Sequence, residues 1–274
     1  MKRIGIPLIL FVATVFTTMF AGALQQGINV LKEPLRILEG YPFSVSIITI
    51  LLGHEMGHYI ASKIHKTKAT LPYFIPAPSI IGTFGAFIKM KSPILTRKAL
   101  LDIGVSGPII GFILSIIASI IGLRMSEVIS LEKHKDIFIL GDSILFSLLV
   151  KITVGSVPEG KDVLLHPIAF AGWIGLFVTS MNLLPIGQLD GGHVAYAIFG
   201  RKHFYIARVL LIFIAILGVF LWHGWIVWAA LLLLLGVDHP PIIFWEKLNK
   251  LRKAIGITSF IIFFITFTPT PFKF

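Results

Sequence analysis

Residues 46–64 read SIITILLGHEMGHYIASKI, an apolar run with three ionisable side chains, His54, Glu55 and His58, set into it. About 20 predominantly apolar residues suffice to cross the hydrocarbon of a bilayer, so the stretch reads as part of a spanning helix over 43–62. His54 and His58 stand one helical turn apart, and both imidazoles project from one face. That spacing lets two ring nitrogens reach a single Zn²⁺ at about 2.0–2.1 Å. Glu55, beside His54, is free to act as general base in the H-E-x-x-H arrangement. On a soluble amphipathic helix the same pattern can be solvated and idle. Inside an apolar span a charge costs about 2.5–3.5 kcal/mol even on a lenient scale, so these residues are expected to face a cavity and a metal.

The rest of the chain agrees with a membrane setting. Of its 274 residues 56% are hydrophobic and only 14% charged, against about 25% charged in soluble domains. The mean hydropathy is +0.91. Seven apolar segments stand out, at 4–24, 43–62, 101–123, 164–186, 204–222, 224–237 and 255–268. The first follows Lys2 and Arg3 as a signal peptide would, but it is long for an h-region and lacks a small-residue cleavage site. It is read as a span. Trp222, His223, Gly224 and Trp225 form an aromatic-rich turn suited to the membrane interface. The expected fold is thus an all-α polytopic membrane protein of about seven transmembrane helices. There is no cysteine, so a metal must be held by His and carboxylate.

Charge sets the expected orientation. With the N-terminus in the cytoplasm, segments 1–3, 63–100, 187–203 and 238–254 face inward and hold fifteen of the twenty-four Lys and Arg. The outward loops balance eight basic against eight acidic residues. The net charge of +11 is therefore topological, and no nucleic-acid partner is implied. The arrangement puts the site nearer the cytoplasmic face of what reads as a prokaryotic cell membrane. Two stretches do not read as spans. ATLPYFIPAPSIIGTFGAFIKMK at 69–91 is apolar but broken by Pro72, Pro76, Pro78, Gly82 and Gly85. It is expected to form a membrane-embedded hairpin or re-entrant segment. The mixed-charge stretch 124–163 reads as an extramembrane loop, partly helical. No repeat appears, and one domain over 1–274 is expected, with its core at 43–200.

A catalytic zinc usually has three protein ligands and an open position. The best third ligand is Asp190, in TSMNLLPIGQLDGGH at 179–193. There Pro185 and the surrounding glycines should interrupt a helix and leave backbone groups in need of partners. A carboxylate in LDGG can instead be a plain helix cap. His166 and His193 compete for the third place, each more simply explained as an interface or supporting histidine.

HEMGH on one span with NLLPIGQLDGG on a later one resembles the site-2 protease family of intramembrane zinc metalloproteases. GTFGA at Gly82–Ala86 resembles that family's glycine-containing strand near the site. SGP at Ser106–Pro108 resembles its opening of the third span. DHPP at 238–241 and TFTPTPF at 266–272 resemble the branch with chloroplast members and their prokaryotic relatives. Leu183 stands where some members carry proline after the motif's Asn, while Pro185 is kept. No PDZ-like insertion is evident.

The resemblance implies one Zn²⁺ per chain on His54, His58 and Asp190, with Glu55 as the base. Asn182 is then a candidate donor to the developing oxyanion, helix–helix hydrogen bonding being its plain alternative. Gly82, Thr83, Phe84, Gly85 and Ala86 are candidates for pairing with an unwound substrate. The implied substrate is a transmembrane protein cut in or near its membrane segment, as in regulated intramembrane proteolysis, with membrane lipid the other partner. A metal transporter or an inactive metal-binding scaffold would also place His and Asp in spans, though neither needs Glu55. A membrane zincin with a glutamate as third ligand would lack the L-D-G partner.

Overall fold

The computed structural model describes residues 5–130 and 139–273, so the flanking charges Lys2 and Arg3 and part of the 124–163 stretch lie outside the described residues. Helix α1 spans Gly5–Gln25 and α2 Tyr41–Ile64, entered through a 3₁₀ turn at Pro34–Gly40. Strands β1 (Tyr73–Pro76) and β2 (Thr83–Phe87) follow, then α3 (Arg97–Leu123) and β3 (Glu127–Ser130). Next come β4 (Ile139–Leu140), α4 (Ile144–Thr153), β5 (Lys161–Leu164) and α5 (Pro167–Asn182). The chain closes with α6 (Asp190–Phe199), α7 (His203–Phe220), α8 (Gly224–Leu235), α9 (Lys250–Thr266) and β6 (Phe272–Lys273).

The fold is mostly helical, but not all-α with a single hairpin. Among the described residues there are three two-stranded antiparallel sheets, β1–β2, β3–β5 and β4–β6. Four helical stretches are long and apolar enough to cross a membrane: Gly5–Gln25, Pro34–Ile64, Arg97–Leu123 and Asp190–Phe220. The other expected spans are shorter. The 164–186 segment is helical only over α5, because the chain breaks before Pro185, and α8 stops at Gly236, whose φ is +96°. At about 1.5 Å per residue these fall short of a hydrocarbon core about 30 Å thick.

α3 lies at the centre, packed against α2, α5, α6, α9 and α4. Its first turn is capped by Thr96, whose side chain accepts from the Ala99 N–H at 3.1 Å. Phe43, Ile47 and Leu51 of α2 meet Leu123 of α3 and Trp173, Ile174 and Leu176 of α5 in the main core. The 124–163 stretch is more than a surface loop, because α4 buries Phe146 and Leu149 in that core.

Two sets of loops gather separately. Arg97 donates to the carbonyls of Ala197, Ile198 and Glu246, and Phe244 N–H donates to Leu95 O at 2.9 Å. Asp102 accepts from His65 and from Arg252 at 2.8 Å each. The segments 63–100, 187–203 and 238–254 are thereby tied together. Elsewhere β4 pairs with β6, His166 N–H donates to Ser126, and the Trp173 indole donates to Gly141 O at 2.9 Å.

Candidate metal centre

His54, Glu55 and His58 are all buried on α2, at 5%, 7% and 6% exposure. Room for the two rings comes from the facing helix. A Cβ on Gly107 of α3 would sit 2.1 Å from His58 Nε2, and one on Gly111 would sit 3.0 Å from His54 Nδ1. Glycines four apart let helices approach closely in a bilayer, where packing rather than apolar burial joins them. The SGP signature therefore has a physical reason, since Gly107 is its middle residue.

His58 Nδ1 lies 2.7 Å from the Ile103 carbonyl. A carbonyl only accepts, so Nδ1 carries the hydrogen and the neutral ring turns its Nε2 lone pair inward. That Nε2 stands 3.1 Å from His54 Nε2, and Asp190 Oδ2 lies 3.2 Å from each of them. Three ligand atoms thus form a nearly equilateral triangle among largely buried side chains. Ligands at about 2.0–2.1 Å around a tetrahedral zinc stand about 3.3 Å apart, so the donor set fits that ion. Inward-facing acceptors of this kind call for a cation between them.

Asp190 arrives from the break after α5. Leu183–Leu189 are non-helical, and the buried His203 side chain lies near Pro185. Helix α6 begins at Asp190 itself, where the orphan N–H groups of a first turn favour a carboxylate. A Cβ on Gly191 would meet the Leu183 carbonyl at 1.9 Å, so the LDGG glycines let α6 tuck beneath the break. Asn182, the last residue of α5, brings its amide nitrogen 3.3 Å from His54 Nε2. It therefore reaches the ligand group.

The hairpin touches the same site. Strand β2 packs against α2, and the backbone of Ile88, just past that strand, lies near Glu55. Gly82 and Thr83 are engaged internally: Thr17 of α1 donates to Gly82 O at 2.6 Å, and Thr83 Oγ1 donates to Ile75 O at 2.8 Å. Phe84 is exposed, and Gly85 and Ala86 are partly so. His166 caps α5 through its Nδ1 and is not in the ligand group. His193 pairs with His239 instead.

The sequence profile of peptidase family M50, the site-2 protease family, matches residues 42–223. The chain belongs to peptidase family M50. The M50 match covers every residue of the ligand group, Glu55, Asn182 and the hairpin. "Probable zinc metalloprotease EGY1, chloroplastic" of Arabidopsis thaliana is 35% identical over 167 residues, covering 59% of this chain and 30% of that protein. "Probable zinc metalloprotease EGY2, chloroplastic" is 32% identical in A. thaliana, over 66% of this chain and 33% of the relative. Its counterpart in Oryza sativa subsp. indica is 29% identical over 76% and 38%. The chain spans about a third of the length of these curated M50 relatives. No solved structure matches it.

Sequence reasoning missed the Ile103 carbonyl and the glycine stripe on α3. The Gly107-x₃-Gly111 spacing was the available signal for the last. Nothing local to DHPP announces the His193 contact.

Proposed function

We propose that this M50 chain is an intramembrane zinc metalloprotease that hydrolyses peptide bonds in or near the transmembrane segments of other membrane proteins, in regulated intramembrane proteolysis. The observation that carries the reading is the largely buried His54–His58–Asp190 triangle with Glu55 beside it. His54, His58 and Asp190 would hold the zinc. When bound, it supplies Lewis-acid polarisation of the scissile carbonyl and a water acidified to a pKa near about 7. Glu55 would act as the general base toward the attacking water and then as the acid toward the leaving amine. Asn182 donates to the oxyanion that develops on the substrate.

Substrate is held as a strand. α1 packs along β1 and leaves β2 as the edge toward α2 and Glu55. An extended segment adding to that edge meets Phe84, Gly85 and Ala86, whereas Gly82 and Thr83 support the hairpin from within. Unwinding of a helical substrate at this edge exposes the backbone that the strand then satisfies. The bundle crosses the membrane about seven times, α5, α8 and α9 completing crossings together with their flanking segments. The joined segments 63–100, 187–203 and 238–254 lie on the positive side, which is cytoplasmic in a prokaryotic cell membrane. A transporter or scaffold would have no use for a buried Glu55 between the ligand group and strand β2.

The test is metal analysis of the purified protein together with cleavage of a membrane-anchored substrate in one preparation. One zinc per chain and cleavage lost on chelation are expected. Vesicle uptake of labelled zinc without cleavage would overturn the reading in favour of transport.

A further inference from the structure

Asp190 begins the helix that carries it, and two glycines follow, so its own helix holds its first turn weakly. Support comes from a distant part of the chain. Three residues before Asp190, the Gly187 N–H donates to the Val237 carbonyl at 2.9 Å. Three residues after it, His193 Nδ1 lies 2.7 Å from His239 Nε2. Residues 237 and 239 therefore grip the chain on either side of the carboxylate. Asp238, between them, turns outward to a bidentate pair with Arg208 of α7 at 2.7 and 3.0 Å.

The hydrogen roles along this grip are fixed. The Pro240 carbonyl stands 2.6 Å from His239 Nδ1 and can only accept, so Nδ1 carries the hydrogen. The neutral His239 ring then offers Nε2 as an acceptor, and His193 Nδ1 donates to it. Tyr196, three residues further along α6, stacks on His239 with centroids 4.4 Å apart and planes 15° apart. His193 itself lies against Gly104 of α3, one turn before Gly107, where His58 sits. His193, His58 and His54, set against Gly104, Gly107 and Gly111, are thus lined along one stripe of α3.

We propose that Val237 and His239 act as a splint for the third zinc ligand, with His239 a positioning residue that holds Asp190 in register through His193. This rests on the reading of Asp190 as a ligand given above. The splint adds a long-range tie to the helix break at 183–189, whose Leu183, Leu184 and Ile186 are buried. Residues that orient a metal ligand typically account for about 10–100-fold in metal affinity.

Zinc affinity of the full chain in detergent, measured by competition with a chelator, tests this without reference to cleavage. His239→Phe keeps the ring that stacks on Tyr196 and removes the acceptor. His239→Asn keeps an acceptor that falls short of His193. His239→Gln places an amide oxygen near the position of Nε2. Asp238→Asn alters the outward pair alone. The Phe and Asn variants are expected to bind zinc at least about 10-fold more weakly, with Gln and Asp238→Asn within about threefold of the parent. Two weakened variants are included so that one decides if the other does not elute as the parent does. Parental affinity in the Phe or Asn variant, or equal weakening in Gln, would overturn the splint while leaving the metal centre in place. A parent that binds no zinc would overturn the metal reading and the splint with it.

Discussion

The peptide carbonyl of Ile103 decides which nitrogen of His58 faces Asp190, and it does so from a different helix. The ligand triangle is therefore sensitive to changes on α3 that touch no ligand. Gly107→Ala places a Cβ where His58 Nε2 now lies, and the Ile103 bond keeps the ring from turning away. Zinc affinity should fall by about 10-fold or more, with a loss of stability of about 1–3 kcal/mol from overpacking. Chelator competition and thermal unfolding in detergent would register the two. Asp190→Ala removes the anionic ligand and should abolish stoichiometric zinc while the protein stays inserted. Retained tight zinc would place a fourth group at the site. Glu55→Gln keeps the volume and all three ligands. Zinc should remain, and cleavage should fall by at least about 10²-fold, as for loss of a positioned acid–base group. Full cleavage with zinc bound would remove Glu55 from the chemistry.

The hairpin ties local geometry to chemistry at the next scale. Gly85 has φ +102°, and its N–H donates to Thr83 Oγ1 at 3.0 Å while that hydroxyl reaches Ile75 O. Thr83→Val keeps the shape and leaves Gly85 N–H without its partner, a local cost of about 1–3 kcal/mol. Cleavage should weaken mainly through KM, with zinc content unchanged on the same preparation. Equal loss of zinc would make the hairpin scaffold only. This hairpin was legible in the sequence, because Pro and Gly at that density exclude a helix and Tyr, Phe, Ile and Thr favour strand. The H-E-x-x-H helix was legible from its own spacing, and so was Asp190 from the broken segment around it. Helix α6 was not. Gly191 and Gly192 argue against a helix, and only their close approach to the break explains them. The β3–β5 and β4–β6 pairs and the His193–His239 contact join residues far apart in sequence, which no local pattern encodes. The shortness of α5 and α8 was hidden because an apolar run continues past the residue where hydrogen bonding stops.

Across the whole molecule, the hydrogen-bonded cluster around Arg97, Asp102 and Glu246 joins the segments with the largest share of Lys and Arg. Single cysteines at Lys66 and Lys202, in a chain with none of its own, should label from one and the same side of a sealed vesicle. A cysteine at Asp162, beside β3, should label from the other. Labelling of Lys66 and Lys202 from opposite sides would undo the proposed crossing pattern. The splint at Val237–His239 carries a consequence in time as well as in space. It follows Asp190 by about fifty residues, so at roughly 5–20 residues per second it leaves the ribosome about 3–10 s later. During that interval the nascent chain already contains His54, His58 and Asp190 but has no partner for Gly187 or His193. On the proposed reading, a newly made molecule passes through a stage of loose metal grip that ends when a late segment of the polypeptide docks, not when the last ligand is synthesised.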